Sequence, residues 1–181
     1  MEQENTSIEK IAAHVKKHLS LSEKEIDIRE IPIPTVPKDY SIYYVEKKES
    51  HGNVYYYYVL AENEMFSSAD ADAFERLLKK EDFLKSRSLD INQFITLFNM
   101  LKGKMRDREV VTKQDLSQGG ILQDSEAKQA SEPLLIDKNG GVEVVFWTLA
   151  LRSHALEHWT VDVFPDYRVE FKREVPAPAI S

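Results

Sequence analysis

The chain has 181 residues, 42% of them hydrophobic and 30% charged, which is enough for one good core or two small ones. Its formal net charge of −7 argues against a nucleic-acid partner and against attraction to anionic lipid headgroups. The absence of cysteine excludes disulfide scaffolds, thiolate zinc sites, iron–sulfur ligation and a cysteine nucleophile.

The first predicted element is an amphipathic helix over about 7–19. Thr6 and Glu9 have the spacing of a capping box, and a run of apolar residues then recurs on one helical face. His14 and His18 lie four residues apart on this helix. They are predicted to be solvated. His18 would lie beside the apolar stripe, and His14 on the side of the stripe that faces solvent. The polar N-terminus has no signal-peptide core and no segment reaches the length of a membrane span, which indicates a cytoplasmic location and no membrane partner.

Three strands follow in the pattern. Residues 26–31 alternate between isoleucine and charge before three prolines, which is typical of an edge strand. Residues 40–48 and 53–61 form a predicted β-hairpin around the turn sequence ESHGN. The second of these strands contains four consecutive tyrosines. Successive side chains of a strand point to opposite faces, so we expect Tyr56 and Tyr58 to face the core or a pocket, and Tyr55 and Tyr57 to face the other side.

Two more helices are predicted before the second β region. Ser67 or Ser68 caps the first of them. The other begins near Asp90 and has the cleanest helical period in the chain, so we expect it to cover the sheet as its main apolar lid. Its apolar positions are Ile91, Phe94, Ile95, Phe98, Leu101 and Met105.

The second half contains a strand near 110–112, a polar segment at 113–132 and a β meander after it. A polar segment of that length inside a domain is typically functional or mobile, so 113–132 is predicted to be a mobile loop. The tail at 176–181 is predicted to be disordered. The whole pattern predicts an α+β fold, with one domain over 1–175. Its antiparallel sheet would have about six strands from two β regions, packed against two or three helices.

The sharpest chemical motif is His154-Ala155-Leu156-Glu157-His158, which matches the H-x-x-E-H signature of inverted zinc proteases. In such a site a helix presents both histidines to the metal, and the glutamate acts as the base. The flanking residues alternate like strands. Residues 148–159 therefore fit either a hairpin or a helix, and we prefer the hairpin.

Cations are concentrated at the end of the third helix, at Lys102, Lys104, Arg106 and Arg108. Cations at a helix C-terminus interact favourably with the helix dipole, which accounts for most of the cluster. A docking patch for an acidic partner is the alternative interpretation.

The functional hypothesis is a non-catalytic binding module with a pocket or groove between sheet and helices. Its ligand would be a small apolar molecule or a peptide or protein partner, with Tyr56, Tyr58, Trp147 and Trp159 as candidate contacts. No catalytic residue and no cofactor are assigned. The alternatives are a small metal-dependent hydrolase using His154, Glu157 and His158, and an assembly protein that buries its aromatic strands in a homodimer. A monomer and a homodimer are both compatible with the sequence.

Overall fold

The structure is a computed structural model that describes residues 2–21, 25–48, 53–105, 107–117, 122 and 124–176. The chain divides into two compact units. Unit 1 comprises Met1–Phe74 and Thr96–Gly103, and unit 2 comprises Glu75–Ile95 and Lys104–Ser181. In chain order the elements are α1 Glu2–His18, β1 Ile26–Glu30, β2 Tyr40–Lys47, β3 Val54–Ala61, β4 Glu64–Ser67, α2 Ala73–Lys80, α3 Phe83–Ser86, α4 Ile91–Phe98 with a π-helical turn Asn99–Gly103, β5 Arg108–Val110, α5 Asp124–Ala127, β6 Leu134–Lys138, β7 Gly141–Ala150, β8 Leu156–Val163 and β9 Val169–Glu174.

The sheet of unit 1 is an antiparallel meander of four strands in the order β1-β2-β3-β4. Helix α1 covers one face of it, because its apolar stripe supplies Ile11 and Val15, which are fully buried. These two side chains pack with Tyr43, Val45 and Tyr58 from β2 and β3. Burial of such a face contributes about 25 cal/mol for each Å² of apolar surface removed from water.

The register of the β2–β3 hairpin confirms the predicted division of the tyrosines. Tyr58 lies opposite Tyr43 and Tyr56 opposite Val45, so both belong to the face beneath α1. Tyr55 and Tyr57 lie on the other face, where both rings contact Tyr44 at centroid distances of 4.9 and 5.5 Å. The four rings are therefore divided between two packed faces and do not form one stacking surface.

The sheet of unit 2 has five strands in the order β5-β7-β8-β9, with β6 also paired to β7. We call one face of this sheet the inner face. Its side chains are buried, and they include Val144, Phe146, Trp159 and Val161. Arg87 at the C-terminus of the short helix α3 forms an ion pair with Asp137 of β6. Residues 148–159 form the β7–β8 hairpin, so the helical alternative for this segment was wrong.

The third predicted helix is present as α4 and its π-helical turn. Phe94, Ile95, Phe98 and Leu101 are buried as the period predicted. The boundary between the two units passes through α4, so its first residues belong to unit 2 and its last to unit 1. Helix α1 begins at Glu2, several residues before the predicted start.

The expected single sheet of about six strands was wrong, because the two β regions form separate sheets of four and five strands. Strands close in sequence pair with one another within each region. Such pairing closes shorter loops than pairing across the chain, and short loops lose less conformational entropy. Hydrophobic alternation located most of the strands but carries no information about which strands share a sheet.

Within the segment 113–132, the structure describes a turn at 113–116 and the short helix α5. Its mobility stays a prediction. The tail residues 177–181 lie outside the described part of the chain. None of the described helices is long and apolar enough to cross a membrane.

Candidate binding groove

A groove in unit 1 lies between the first turns of α1 and the strands that α1 covers. It has a volume of about 560 Å³. Cross-strand pairs of the covered face make its floor, since Glu30 lies opposite Tyr43 and Ser41 opposite Leu60. The lining residues are Thr6, Ser7 and Lys10 from α1, Glu30, Asp39, Ser41, Tyr43 and Leu60 from the strands and their approach, and Glu62 and Asn63 from the β3–β4 turn.

Carboxylates outnumber cations in this groove. Glu30, Asp39 and Glu62 supply three carboxylates, whereas Lys10 supplies one ammonium. Glu62 is held at the rim by the tight β3–β4 turn, where it adopts a positive φ of 55°. Apolar contact comes mainly from the partly buried Leu60, because Tyr43 is only 2% exposed. A groove of this composition suits a cationic or hydrogen-bonding ligand better than an apolar one.

A second cleft of unit 1, of about 360 Å³, follows the proline-containing segment between β1 and β2. Its walls include Ile31, Pro32, Val36 and Ile42. Backbone hydrogen bonds from Val36 to Ile33 and from Tyr40 to Pro37 fold this segment into consecutive turns. The cleft is therefore made largely by one local segment.

Beside the groove, His14 of α1 enters a hydrogen-bonded network beneath the helix. Its Nδ1 atom lies 3.1 Å from the Tyr58 hydroxyl, and its Nε2 atom lies 4.0 Å from an Asp70 carboxylate oxygen. The ring stacks on that of His18 with a centroid distance of 4.4 Å. Only 14% of the His14 side chain is exposed, so the prediction that His14 faces water was wrong.

Tyr58 is the buried end of this network and is fully inaccessible to solvent. Burial raises the pKa of its hydroxyl, and a hydrogen bond with Ser67 opposes part of that rise. A phenol enclosed in this way cannot contact a substrate, although it can hold the imidazole in one orientation. The network therefore anchors α1 to the sheet.

In unit 2, the predicted residues Arg108, Glu157 and Trp159 meet in a network on the inner face. Arg108 donates from Nε and Nη2 to the two carboxylate oxygens of Glu157, at 2.5 and 3.2 Å. Thr148 donates to the same carboxylate at 3.3 Å and accepts a hydrogen bond from the Trp159 indole at 2.9 Å. The hydrogen bond to Glu157 raises the pKa of Arg108. Each polar group named here has a partner, so the network serves to satisfy a buried carboxylate.

Trp147 and His158 lie opposite each other on the outer face of the same sheet, with ring centroids 4.6 Å apart. The His158 Nδ1 atom is 3.9 Å from a carboxylate oxygen of Glu174. Trp147 is partly exposed here, whereas Trp159 is only 3% exposed on the inner face. The four candidate aromatic contacts, Tyr56, Tyr58, Trp147 and Trp159, are therefore not brought to one surface.

The H-x-x-E-H residues do not form the arrangement of a helical zinc site. His154 is an exposed turn residue with a φ of 52°, and its backbone N–H closes the β7–β8 turn on Ala150. Glu157 and His158 are consecutive on β8, so their side chains point to opposite faces. No group of three or more potential metal ligands occurs among the residues that the structure describes. The hydrolase alternative thus loses the geometry on which it depended.

The structure gives contacts for two of the four cations of the predicted docking patch. Lys102 belongs to unit 1, where its ammonium donates to the Ala71 carbonyl at 3.2 Å. Lys104 and Arg108 belong to unit 2, and Arg108 is committed to Glu157. Arg106 lies outside the described residues.

Sequence reasoning missed the groove, because its lining residues come from segments as far apart as Thr6 and Asn63. The sequence does contain a signal that His14 lies near the core. It is next to the buried Val15, and it comes three positions after the buried Ile11, which puts it close to Ile11 on the helix surface. Comparisons with protein-family models, with curated proteins and with solved structures find no match to this chain.

Proposed function

We propose that this protein is a non-catalytic binding module, and that the groove of unit 1 receives a cationic, extended segment of a protein partner. The observation that supports the proposal is the composition of the groove, whose lining contains three carboxylates and one ammonium. Opposite charge across an interface steers encounter and selects partners. The partly buried Leu60 offers contact for the aliphatic stem of a lysine or arginine.

A peptide suits this groove better than the small apolar ligand that the sequence suggests. Most of the lining residues of the groove carry polar side chains. Transfer of an apolar ligand into it would leave those polar groups facing hydrocarbon, which costs free energy. An extended peptide instead offers backbone donors and acceptors to the side chains of Thr6, Ser7 and Asn63.

The test is an NMR titration of the full chain with a short peptide of alternating arginine and alanine. We expect the backbone amides of Thr6, Ser7 and Asn63 to shift together and to saturate. The double variant Asp39→Lys/Glu62→Lys should weaken binding about tenfold or more, because it reverses two charges of the lining.

The matched control is the double variant Glu109→Lys/Asp166→Lys, which makes the same change in net charge at two exposed positions of unit 2. It should leave the affinity within about threefold of the unmodified chain. Equal weakening by both variants would show attraction to the net negative charge of the protein and not to the groove. Shifts spread over both units would contradict the proposal in the same way.

A further inference from the structure

The groove of unit 1 and the second cleft beside the proline-containing segment have lining residues in common. Glu30, the last residue of β1, and Ser41, near the start of β2, line both of them. Glu30 is exposed and Ser41 is partly exposed, so a ligand can reach both side chains. The groove and the second cleft therefore adjoin at this corner of the sheet, where strand β1 ends.

The second cleft differs from the groove in charge and polarity. Its two charged lining residues, Glu30 and Lys38, have opposite signs, whereas the groove contains three carboxylates and one ammonium. Its accessible apolar lining consists of Ile31, Pro32, Ile33, Pro34 and Pro37. The second cleft therefore suits an apolar side chain, and the groove suits a cationic one.

The sign of the charge changes between two consecutive residues at this boundary. Lys38 lines the second cleft, and its neighbour Asp39 lines the groove. A basic residue of a ligand would meet an opposite charge at Asp39 and a like charge at Lys38, and like charges placed together in an interface are unfavourable. Recognition therefore depends on the order of residue types in the ligand and not only on its total charge.

The proline-containing segment that forms the wall of the second cleft is held in one conformation. Its three prolines fix φ, and the backbone N–H of Val36 donates to the carbonyl of Ile33 at 3.2 Å. The Thr96 hydroxyl donates to that of Thr35 at 3.0 Å, and Thr96 belongs to the part of α4 that lies in unit 1. A wall that is fixed in advance loses little conformational entropy when a ligand binds.

We propose that the partner segment is bipartite, with basic residues in the groove and one large apolar residue in the second cleft. This inference rests on the proposed function, because it adds a second contact to the same bound segment. Neighbouring strands lie about 4.8 Å apart, so the lining from Glu30 on β1 to Leu60 on β3 spans about 10 Å, or about three residues of an extended peptide. Ile33 lies only a few residues beyond Glu30, so the apolar residue of the ligand should stand about two or three positions from the nearest basic one.

The test is a titration of the full chain with end-capped peptides that contain the two parts in either order. The peptides RARAAL and LAARAR each carry one leucine, and RARAAA and AAARAR are their alanine references. We expect the better leucine peptide to bind about fivefold or more tightly than its reference, because the leucine side chain leaves water. A smaller gain in both orders would overturn the inference.

NMR chemical shifts locate the leucine without any variant. The backbone amides of Ile33 and Val36 should shift with the better leucine peptide and not with its reference, whereas the amide of Asn63 in the groove should shift with both. Equal shifts of Ile33 and Val36 with the two peptides would contradict a separate apolar contact.

Ile33→Ser removes apolar surface from the second cleft and should abolish the gain. The leucine peptide and its reference should then bind within about twofold of each other, and the reference should bind as it does to the unmodified chain. Unchanged binding of the reference shows that unit 1 is folded. Ile136→Ser is the matched control, since Ile136 is a 37% exposed residue of β6 in unit 2, and it should keep the gain. Equal gains in the two variants would overturn the inference.

Failure of this inference can be told from failure of the proposed function. If Asp39→Lys/Glu62→Lys weakens binding of the reference peptides and leucine adds nothing, only the bipartite segment is refuted. If none of the arginine peptides binds to the groove, the proposed function is refuted, and this inference with it.

Discussion

Arg108 on β5 and Glu157 on β8 form a two-pronged ion pair across the strand that separates them. Strand β7 lies between β5 and β8, and its Thr148 donates to the same carboxylate. The Glu157 side chain is only 6% exposed, whereas that of Arg108 is 23% exposed. The pair therefore fixes β5, a strand of three residues, to the centre of the sheet.

Removal of the arginine should destabilise unit 2 strongly. Arg108→Ala leaves the Glu157 carboxylate buried without its main partner, for which we expect a loss of about 3 kcal/mol in the free energy of unfolding. Urea denaturation followed by tryptophan fluorescence measures it, since Trp159 belongs to the same network. Arg152→Ala is the control, because the Arg152 side chain is 87% exposed in its pair with Asp107 and should lose at most about 0.5 kcal/mol. Similar losses in both variants would mean that Glu157 is solvated.

The four tyrosines of β3 should respond unequally to truncation. Tyr58 is fully buried, whereas Tyr55, Tyr56 and Tyr57 are partly exposed. Tyr58→Ala should cost about 3–5 kcal/mol, the range for a buried aromatic, and each of the other three about 1–2 kcal/mol. Denaturant unfolding of the four variants measures these costs. Equal losses at Tyr56 and Tyr58 would contradict this ranking and would mean that the face of a side chain alone decides the loss.

Strand β3 shows which properties of a side chain the sequence period can predict and which it cannot. Alternation assigned each tyrosine to a face, because the direction of a strand side chain depends only on its position. The degree of burial did not follow, since it depends on what covers each face. Val59 on the opposite face from Tyr58 is also fully buried, so the strand is enclosed from both sides at that point.

The candidate site was less predictable than the fold, for a related reason. Helix α4 was predicted correctly because its signal lies within one short segment. The groove combines α1 with the β3–β4 turn, and no local pattern reports that these segments meet. The same limit hid the partner of Glu157, which lies 49 residues away in the chain. Arg108 was consequently interpreted through its cationic neighbours in sequence.

The β6–β7 hairpin makes distinct demands on its two glycines. Gly140 adopts a φ of 86° in the two-residue turn with Asn139, and a Cβ atom there would have 3.7 Å to the nearest atom. At Gly141, a Cβ atom would lie 2.3 Å from the backbone oxygen of Val163. We expect Gly141→Ala to lower the free energy of unfolding by about 2–3 kcal/mol, because the neighbouring strand must move.

Gly140→Ala is the comparison for that measurement, with an expected loss of about 1–2 kcal/mol from the left-handed conformation alone. Thermal or urea unfolding of both variants gives the difference. A smaller loss at Gly141 than at Gly140 would mean that β8 adjusts at that point without cost.

Alkaline stability should depend on the buried hydroxyl of Tyr58. Burial raises the pKa of this group in the folded protein, whereas in the unfolded chain it titrates near the ordinary value of about 10. The stability contributed by the protonated phenol is fully present below pH of about 10. It is lost as the pH rises from there through the raised pKa, because the unfolded chain releases the proton first.

Tyr58→Phe removes this titration, so its free energy of unfolding should fall less between pH 9 and pH 11 than that of the unmodified chain. At pH 8 the variant should already be less stable by about 1 kcal/mol, since the hydrogen bond with His14 is lost. The change in the free energy of unfolding with pH therefore measures the effect of the buried phenol, whereas the loss at pH 8 does not.

Tyr55→Phe is the control, because Tyr55 is a partly exposed tyrosine on the opposite face. It accounts for the general effect of losing one hydroxyl, and its stability should change with pH as that of the unmodified chain does. Parallel curves for the unmodified chain and Tyr58→Phe would mean that water reaches this hydroxyl, and that α1 opens before the remainder of unit 1 unfolds.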